Sequence, residues 1–186
     1  MLRTLTAVLF LILLPLHSSS AASLVTDSNN ILIGATGINV NGSVYNVKIG
    51  DGTCAALFNG CDQNTDFLFQ SQSTLESAFF ALQQLIDNDA RYATNPDSIA
   101  GCTNLAGCRI LTPWSFVNAT QQQLNITSLI VPLRPPTRVL SGPATLGDTA
   151  MADIYTYAVW TVPEPNTLML LGIGLLGQRR LRPRGK

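Results

Sequence analysis

The chain has 186 residues, with eleven basic side chains, eleven acidic side chains and a formal net charge of zero. This balance hides an asymmetry, because five of the bases lie in the last eight residues. Residues 23–162 carry five bases against ten acids, a net charge of −5. An acidic central region without a basic cluster excludes nucleic-acid binding, which depends on Lys and Arg side chains at phosphates.

The first 22 residues have the three parts of a secretory signal peptide. Arg3 supplies positive charge, residues 5–16 are almost wholly apolar, and Ser20-Ala21-Ala22 places small residues before a cut after Ala22. An uncleaved anchor helix is the poorer interpretation, since a membrane span needs about 20 apolar residues. The pattern predicts a signal peptide over residues 1–22 and a mature domain over residues 23–162.

Two local patterns stand out in the first half of the mature domain. Asn41-Gly42, the preferred dipeptide of a type I′ turn, separates two runs of strand-forming residues and predicts an N-terminal β-hairpin. Residues 73–92 predict one long amphipathic helix, because apolar side chains recur there at helical spacing. Ser73-Thr74-Leu75-Glu76 is typical of a capping box at the start of such a helix.

The second half of the domain has the composition of short strands. Apolar runs at residues 109–112, 126–133 and 152–162 are rich in strand formers. Residues 132–147 contain four prolines and predict a loop between them. A hairpin, one long helix and further short strands together predict a small single domain of the α+β class.

Four cysteines lie in the mature region, an even number that predicts two disulfides in an oxidising compartment. Three connectivities are possible for Cys54, Cys61, Cys102 and Cys108. We favour Cys54–Cys61 and Cys102–Cys108, since each pair brackets a short loop containing Gly and Asn. A four-thiolate metal site is the rival, but zinc sites usually separate paired ligands by two to four residues, and these gaps are six and five residues.

The only histidine, His17, lies in the predicted signal peptide. Without it, the mature region has no Ser-His-Asp or Cys-His catalytic group and no histidine ligand for a metal. We therefore predict a protein that is not an enzyme and has no catalytic residue and no cofactor. A hydrolase that uses only carboxylates, as glycosidases do, is an alternative, although Glu76 is better explained as a helix cap.

Binding of calcium or of carbohydrate is the other alternative. Asp62, Asn64 and Asp66 are spaced like the start of an EF-hand loop, but Phe67 stands where that loop needs Gly, so they are weak calcium candidates. Flat aromatic rings stack on sugar rings, and five of them are candidates for one carbohydrate-binding surface: Trp114, Phe116, Tyr155, Tyr157 and Trp160.

Residues 163–186 have the order of a membrane-sorting tail. Pro163, Glu164 and Pro165 precede a glycine-containing apolar run over residues 168–177, and a basic cluster follows: Arg179, Arg180, Arg182 and Arg184. As a helix, about 12 residues reach only about 18 Å into a hydrocarbon core of about 30 Å. The arginines stay cytoplasmic under the positive-inside rule. The tail therefore predicts a translocating chain that pauses with its folded part outside.

This tail resembles the PEP-CTERM sorting signal, which consists of Pro-Glu-Pro, a glycine-containing apolar stretch and an arginine-rich end. The resemblance implies a Gram-negative bacterial protein that uses the export machinery and is recognised and cut by an exosortase-type membrane peptidase. It implies a domain tethered briefly in the periplasm by its tail and then released to the cell surface or extracellular matrix, with exopolysaccharide as a partner. Retention of the tail as a permanent anchor is the alternative.

Overall fold

Seven strands form one sheet in the computed structural model, which describes residues 21–118, 123–132, 137–145 and 147–164. The strands are β1 Ser23–Thr26, β2 Leu32–Val40, β3 Ser43–Gly50, β4 Gly107–Asn118, β5 Gln123–Pro132, β6 Arg138–Thr145 and β7 Tyr155–Thr161. Their order across the sheet is β1-β2-β3-β7-β4-β5-β6. All neighbours are antiparallel except β4 and β7, which are parallel. A sheet combined with a few helices confirms the predicted α+β class.

The predicted hairpin is formed by β2 and β3. Val40 pairs with Ser43, and the two residues between them, Asn41 and Gly42, have φ angles of 52° and 88°. Two consecutive positive φ angles are the requirement of a type I′ turn, which Asn-Gly satisfies at low cost. The hairpin prediction is therefore confirmed.

The single helix predicted over residues 73–92 is instead two helices, α2 Gln72–Asp87 and α3 Ala90–Thr94, preceded in the chain by a short helix, α1 Cys54–Leu57. The break occurs because the Asp89 carboxylate accepts a hydrogen bond from the backbone N–H of Arg91 and so caps a new helix. The side of α2 that faces the sheet buries one apolar stripe: Leu75, Ala78, Phe79, Leu82 and Ile86.

The predicted capping box is wrong. The residue that precedes α2 is Ser71, whose side chain makes no capping bond, and Glu76 therefore lies beyond the first helical turn. The Glu76 carboxylate instead accepts hydrogen bonds from Gln72 Nε2 at 2.8 Å and from Ser141 Oγ at 2.7 Å. Glu76 thus ties α2 to β6.

The predicted loop over residues 132–147 contains a strand, β6. This strand lies at the edge of the sheet and pairs antiparallel with β5. Pro143 stands opposite Asn125 in that pairing. An edge strand tolerates proline, because only one side of its backbone needs hydrogen-bond donors for the sheet. The proline content alone therefore gave a misleading prediction.

Two apolar clusters cover opposite faces of the sheet. The alternation along β7 separates them, since successive strand residues point to opposite faces. Ala158 and Trp160 belong to the larger cluster, which α2 covers. Tyr157 belongs to the smaller cluster with Phe58 and Phe67, which follow α1. The central strand therefore contributes to both cores.

Both favoured disulfides are confirmed. Cys54 is bonded to Cys61 and Cys102 to Cys108, with Cα–Cα distances of 5.7 and 5.6 Å. The second bond lies in the core that α2 covers, where Cys102 and Cys108 are 2 % and 0 % exposed. The first bond lies at the surface of the smaller cluster.

Removing the buried disulfide by Cys102→Ala with Cys108→Ala is expected to lower the free energy of unfolding by about 2–3 kcal/mol, because the unfolded chain regains the entropy of a short open loop. Urea denaturation of the wild type and the variant measures this change. Cys54→Ala with Cys61→Ala opens a loop of similar length and is the matched control. The buried pair is expected to cost more, because its sulfur atoms also leave a cavity. Equal costs would contradict that order.

Candidate functional site

The sorting motif begins where the central strand ends. Thr161, the last residue of β7, pairs with Asn46 of β3. Val162 follows without a pairing partner and is 60 % exposed, and Glu164 is also exposed. Pro163 has no backbone N–H and so removes a donor that a continuing ladder would use. The structure therefore places Pro163 and Glu164 directly outside the sheet, while Pro165 and the four predicted basic-stop arginines lie outside the described residues.

The other end of the domain lies at the same level of the sheet. One row of paired residues crosses the four strands β1, β2, β3 and β7: Leu24, Ala35, Val47 and Trp160. Ser23, the first residue of β1, precedes this row by one residue, and Thr161 follows it by one residue. Because β1 and β7 run in opposite directions, Ser23 and Thr161 lie on the same side of the row. The predicted signal peptide before Ser23 falls almost entirely outside the described residues.

We call this side of the sheet the tip end, after the Asn41-Gly42 turn of the hairpin. Gly42 lies four residues beyond Asn46 and so extends about 13 Å past the end of β7. Residues 36–47 contain no charged side chain, and Val44 is 42 % exposed. A shallow cleft of about 370 Å³ lies between the hairpin and the chain that leaves β7, lined by Ser43, Val44, Tyr45, Val162 and Pro163.

Aspartates lie at the opposite end of the same strands. Asp27 is in the turn that precedes β2, and its backbone N–H bonds to Ile31 O at 3.0 Å. Asp51 directly follows β3, and Asp153 lies two residues before β7. The sheet is thus uncharged at its projecting hairpin and carries carboxylates at the far end.

Two of the three weak calcium candidates, Asp66 and Asn64, use side-chain oxygen atoms in hydrogen bonds within their own loop and to β4. One carboxylate oxygen of Asp66 accepts hydrogen bonds from the backbone N–H groups of Asp62 and Gln63, at 3.0 and 3.1 Å. The Asn64 side-chain oxygen accepts a hydrogen bond of 2.7 Å from the Phe116 N–H. Within the part of the chain that the structure describes, no group of three or more His, Cys, Asp or Glu could hold a metal ion. The calcium hypothesis stays a prediction.

The five aromatic residues do not form one surface. Trp114 and Trp160 pack in the core that α2 covers, whereas Phe116, Tyr155 and Tyr157 pack on the other face. The five residues therefore do not line one sugar-binding surface. Strand alternation separates Tyr157 from Trp160 on β7. On β4, a register shift at Trp114 interrupts the alternation between this residue and Phe116.

Tyr157 is held by a polar contact at its buried end. Its hydroxyl donates a hydrogen bond of 3.2 Å to Gly147 O. Burial, with a smaller contribution from the Asp148 carboxylate, raises the pKa of the Tyr157 phenol far above its ordinary value. Its ring packs edge-on against Phe58 with the centroids 5.5 Å apart. Tyr157 is thus a neutral core residue.

Glu76 is the carboxylate with the clearest electrostatic signature. The hydrogen bond from Ser141, and then that from Gln72, lowers the pKa of Glu76 below its ordinary value. Glu76 is therefore ionised at neutral pH, whereas a carboxyl group that acts as a general acid has a raised pKa.

Ser141→Ala is expected to reduce the free energy of unfolding at neutral pH, and this loss should shrink as the pH falls below about 4. A carboxyl group with a lowered folded-state pKa stabilises the fold above its unfolded-state pKa, and the effect disappears as the pH falls through the folded-state pKa. Urea denaturation at neutral and acid pH measures the difference. Ser77→Ala is the control, since Ser77 Oγ bonds to Ser73 O within α2. A pH-independent effect of Ser141→Ala would contradict this explanation.

Comparison with known proteins places the sorting motif in a family. The model of the PEP-CTERM protein-sorting motif matches residues 161–184, which include Pro163, Glu164 and Pro165 and all four predicted arginines. The chain is thus an exported protein whose sorting signal is recognised by exosortase, a membrane protein. Residues 161–184 therefore carry a PEP-CTERM protein-sorting motif. No curated protein and no solved structure matches the chain.

The described residues include no helix that is long and apolar enough to cross a membrane. The apolar run at residues 168–177 lies outside them. The predicted sorting helix is therefore not tested by the fold.

Proposed function

We propose that residues 23–162 form a non-enzymatic extracellular domain that is exported, held at the inner membrane by its sorting tail and then released to the cell surface or extracellular matrix. The observation that supports this is the placement of Ser23 and Thr161. Both lie one residue from the same row of the sheet and at the tip end. Removal of residues 1–22 and of the chain beyond Glu164 therefore leaves all seven strands in place.

The chemistry of the domain supports a role without catalysis. Both described cysteine pairs are oxidised, so no described thiol is available as a nucleophile. The hydrogen bond from Ser141 lowers the pKa of Glu76, whereas a carboxylate-dependent hydrolase needs one carboxyl group that stays protonated to act as the acid. A structural or adhesive function is the proposal that uses these features directly.

A place in the extracellular matrix agrees with the stability and charge of the domain. Disulfides persist in oxidising compartments, and a net charge of −5 over residues 23–162 favours solubility and discourages self-association. Exopolysaccharide is the matrix partner that the sorting signal implies. Its binding is proposed for the domain as a whole, since the aromatic residues are divided between two cores.

Intact mass measurement tests the proposal on protein recovered from the membrane and from the medium of the native cell. The expected released species begins near Ser23, ends near residues 163–165 and gains about four mass units on reduction, two for each disulfide. A product that keeps Arg179 and the residues after it in every fraction would show that the tail is a permanent anchor. A product that keeps residues 1–22 would contradict cleavage of the signal peptide.

A further inference from the structure

The chain that leaves β7 is short when compared with the hairpin beside it. Leu168, where the apolar run of the tail begins, lies seven positions after Thr161 in the sequence. Such a segment spans at most about 25 Å when fully extended, and about 22 Å in the polyproline conformation that Pro163 and Pro165 favour. The polar headgroup layer takes up roughly 5–8 Å of that length on each side of a bilayer. Thr161 therefore lies within about 20 Å of the headgroup surface when the apolar run is in the membrane.

The hairpin fills most of this space. It extends about 13 Å beyond the level of Thr161 in the direction in which β7 leaves the sheet. A gap of no more than about 7 Å separates the Asn41-Gly42 turn from the headgroups when the tether is fully stretched. Any bend in the tether closes this gap.

The composition of the hairpin suits such a contact. Residues 36–47 are uncharged, so they carry no carboxylate to be repelled by anionic lipids. Val44 and Val162 are exposed apolar side chains on the two sides of the shallow cleft. Asp27, Asp51 and Asp153 lie at the far end of the strands, more than a Debye length of about 8–10 Å from the turn.

We infer that the tip of the β2–β3 hairpin, residues 41–44, rests on the lipid headgroups of the membrane that holds the sorting tail. The inference rests on the proposed function, because it requires the tail to be inserted. The hairpin then acts as a spacer that fixes how far the Pro-Glu-Pro segment stands above the bilayer. Ser23, at the start of β1, also lies at the tip end. A chain that still carried residues 1–22 would therefore present the same hairpin tip to the membrane.

Fluorescence quenching in vesicles tests this contact with the full chain. Val44→Trp places a reporter at the tip, and Met151→Trp is the matched control, because Met151 is 86 % exposed and lies at the opposite end of the sheet. The vesicles contain phosphatidylethanolamine and phosphatidylglycerol, with a nitroxide on a fraction of the headgroups. We expect quenching to be severalfold stronger for Val44→Trp than for Met151→Trp. Ser43→Trp is a second tip reporter in case Val44→Trp disturbs the hairpin.

The outcomes separate the contact from the tethering. Flotation of the chain with the vesicles reports insertion of the tail, and a failure to float contradicts the tethering and with it the inference. Flotation with equal or absent quenching at residues 43, 44 and 151 contradicts the lipid contact alone. Cross-linking of the tip to the membrane peptidase without quenching by lipid would assign the tip to a protein partner instead. A chain ending at Glu164 with Val44→Trp must not bind vesicles, because otherwise the new Trp itself causes the binding.

Discussion

A chain that ends after Ile154 is expected to lose cooperative unfolding, because it lacks the strand that joins the two halves of the sheet. β7 lies between β3 and β4, so its removal leaves two separate groups of three strands. It also removes Tyr157 from one core and Trp160 from the other. Deleting a single large aromatic side chain costs about 3–5 kcal/mol, and a whole domain is stable by only about 5–15 kcal/mol.

A chain that ends after Glu164 is the matched control for this truncation. It keeps all seven strands and lacks only residues that follow the sheet, so we expect the same urea midpoint as for the processed protein. Near-ultraviolet circular dichroism and urea denaturation of the two chains measure the difference. A sigmoidal transition in the chain that ends after Ile154 would mean that β7 is not needed to unite the sheet.

The central strand β7 ends where the sorting motif begins. The sheet is complete only when Thr161 is in place, because this residue still pairs with Asn46. The sorting motif begins at the same residue. The last strand of the domain and the sorting motif therefore adjoin with no linker between them.

The features that could be predicted from the sequence all depend on residues close together in the chain. Asn41-Gly42 specifies a turn through its own backbone preferences. Each disulfide joins cysteines separated by six or seven residues. The sorting motif is likewise contiguous and matches the family model over residues 161–184. These patterns can therefore be interpreted without knowledge of the rest of the fold.

The features that could not be predicted depend on distant parts of the chain. Pro143 is acceptable in a strand only because β6 lies at the edge of the sheet. No local sequence pattern predicts the order of the strands. Glu76 has the spacing of a helix cap, but its partner Ser141 lies 65 residues away. Asp89 divides the long helix through a cap that competes with the apolar spacing.

The arrangement at the tip end of the sheet also depends on pairing between residues that are far apart in the chain. Its uncharged hairpin is visible in the sequence, and so is the sorting motif. Their proximity follows only from the pairing of Asn46 with Thr161. The common level of Ser23 and Thr161 requires the directions of four strands. A sequence with one sorting motif and one predicted signal peptide therefore does not reveal that both border the same end of the sheet.

Replacing Pro163 by alanine is expected to reduce release of the domain into the medium from most of the protein to a small fraction. The edge of β3 over residues 43–45 has no partner on the side of β7, since the pairing stops at Asn46 and Thr161. Proline at 163 cannot donate to that edge. An alanine at position 163 restores the N–H, so β7 can extend along the hairpin. Residues 163 and 164 would then lie in the sheet, out of reach of a peptidase.

Pro165→Ala distinguishes this mechanism from loss of recognition. Residue 165 would pair beyond Ser43, where the hairpin turns, so strand extension should affect cleavage much less there. The intact mass of the protein in the membrane and medium fractions shows whether residues 179–186 are retained. A chain with Asn166→Ala and Thr167→Ala, which keeps both prolines, is the control. Equal losses for the two proline variants would indicate that the peptidase reads the prolines directly. A loss for Pro163→Ala alone would indicate that this proline keeps the sorting segment free of the sheet.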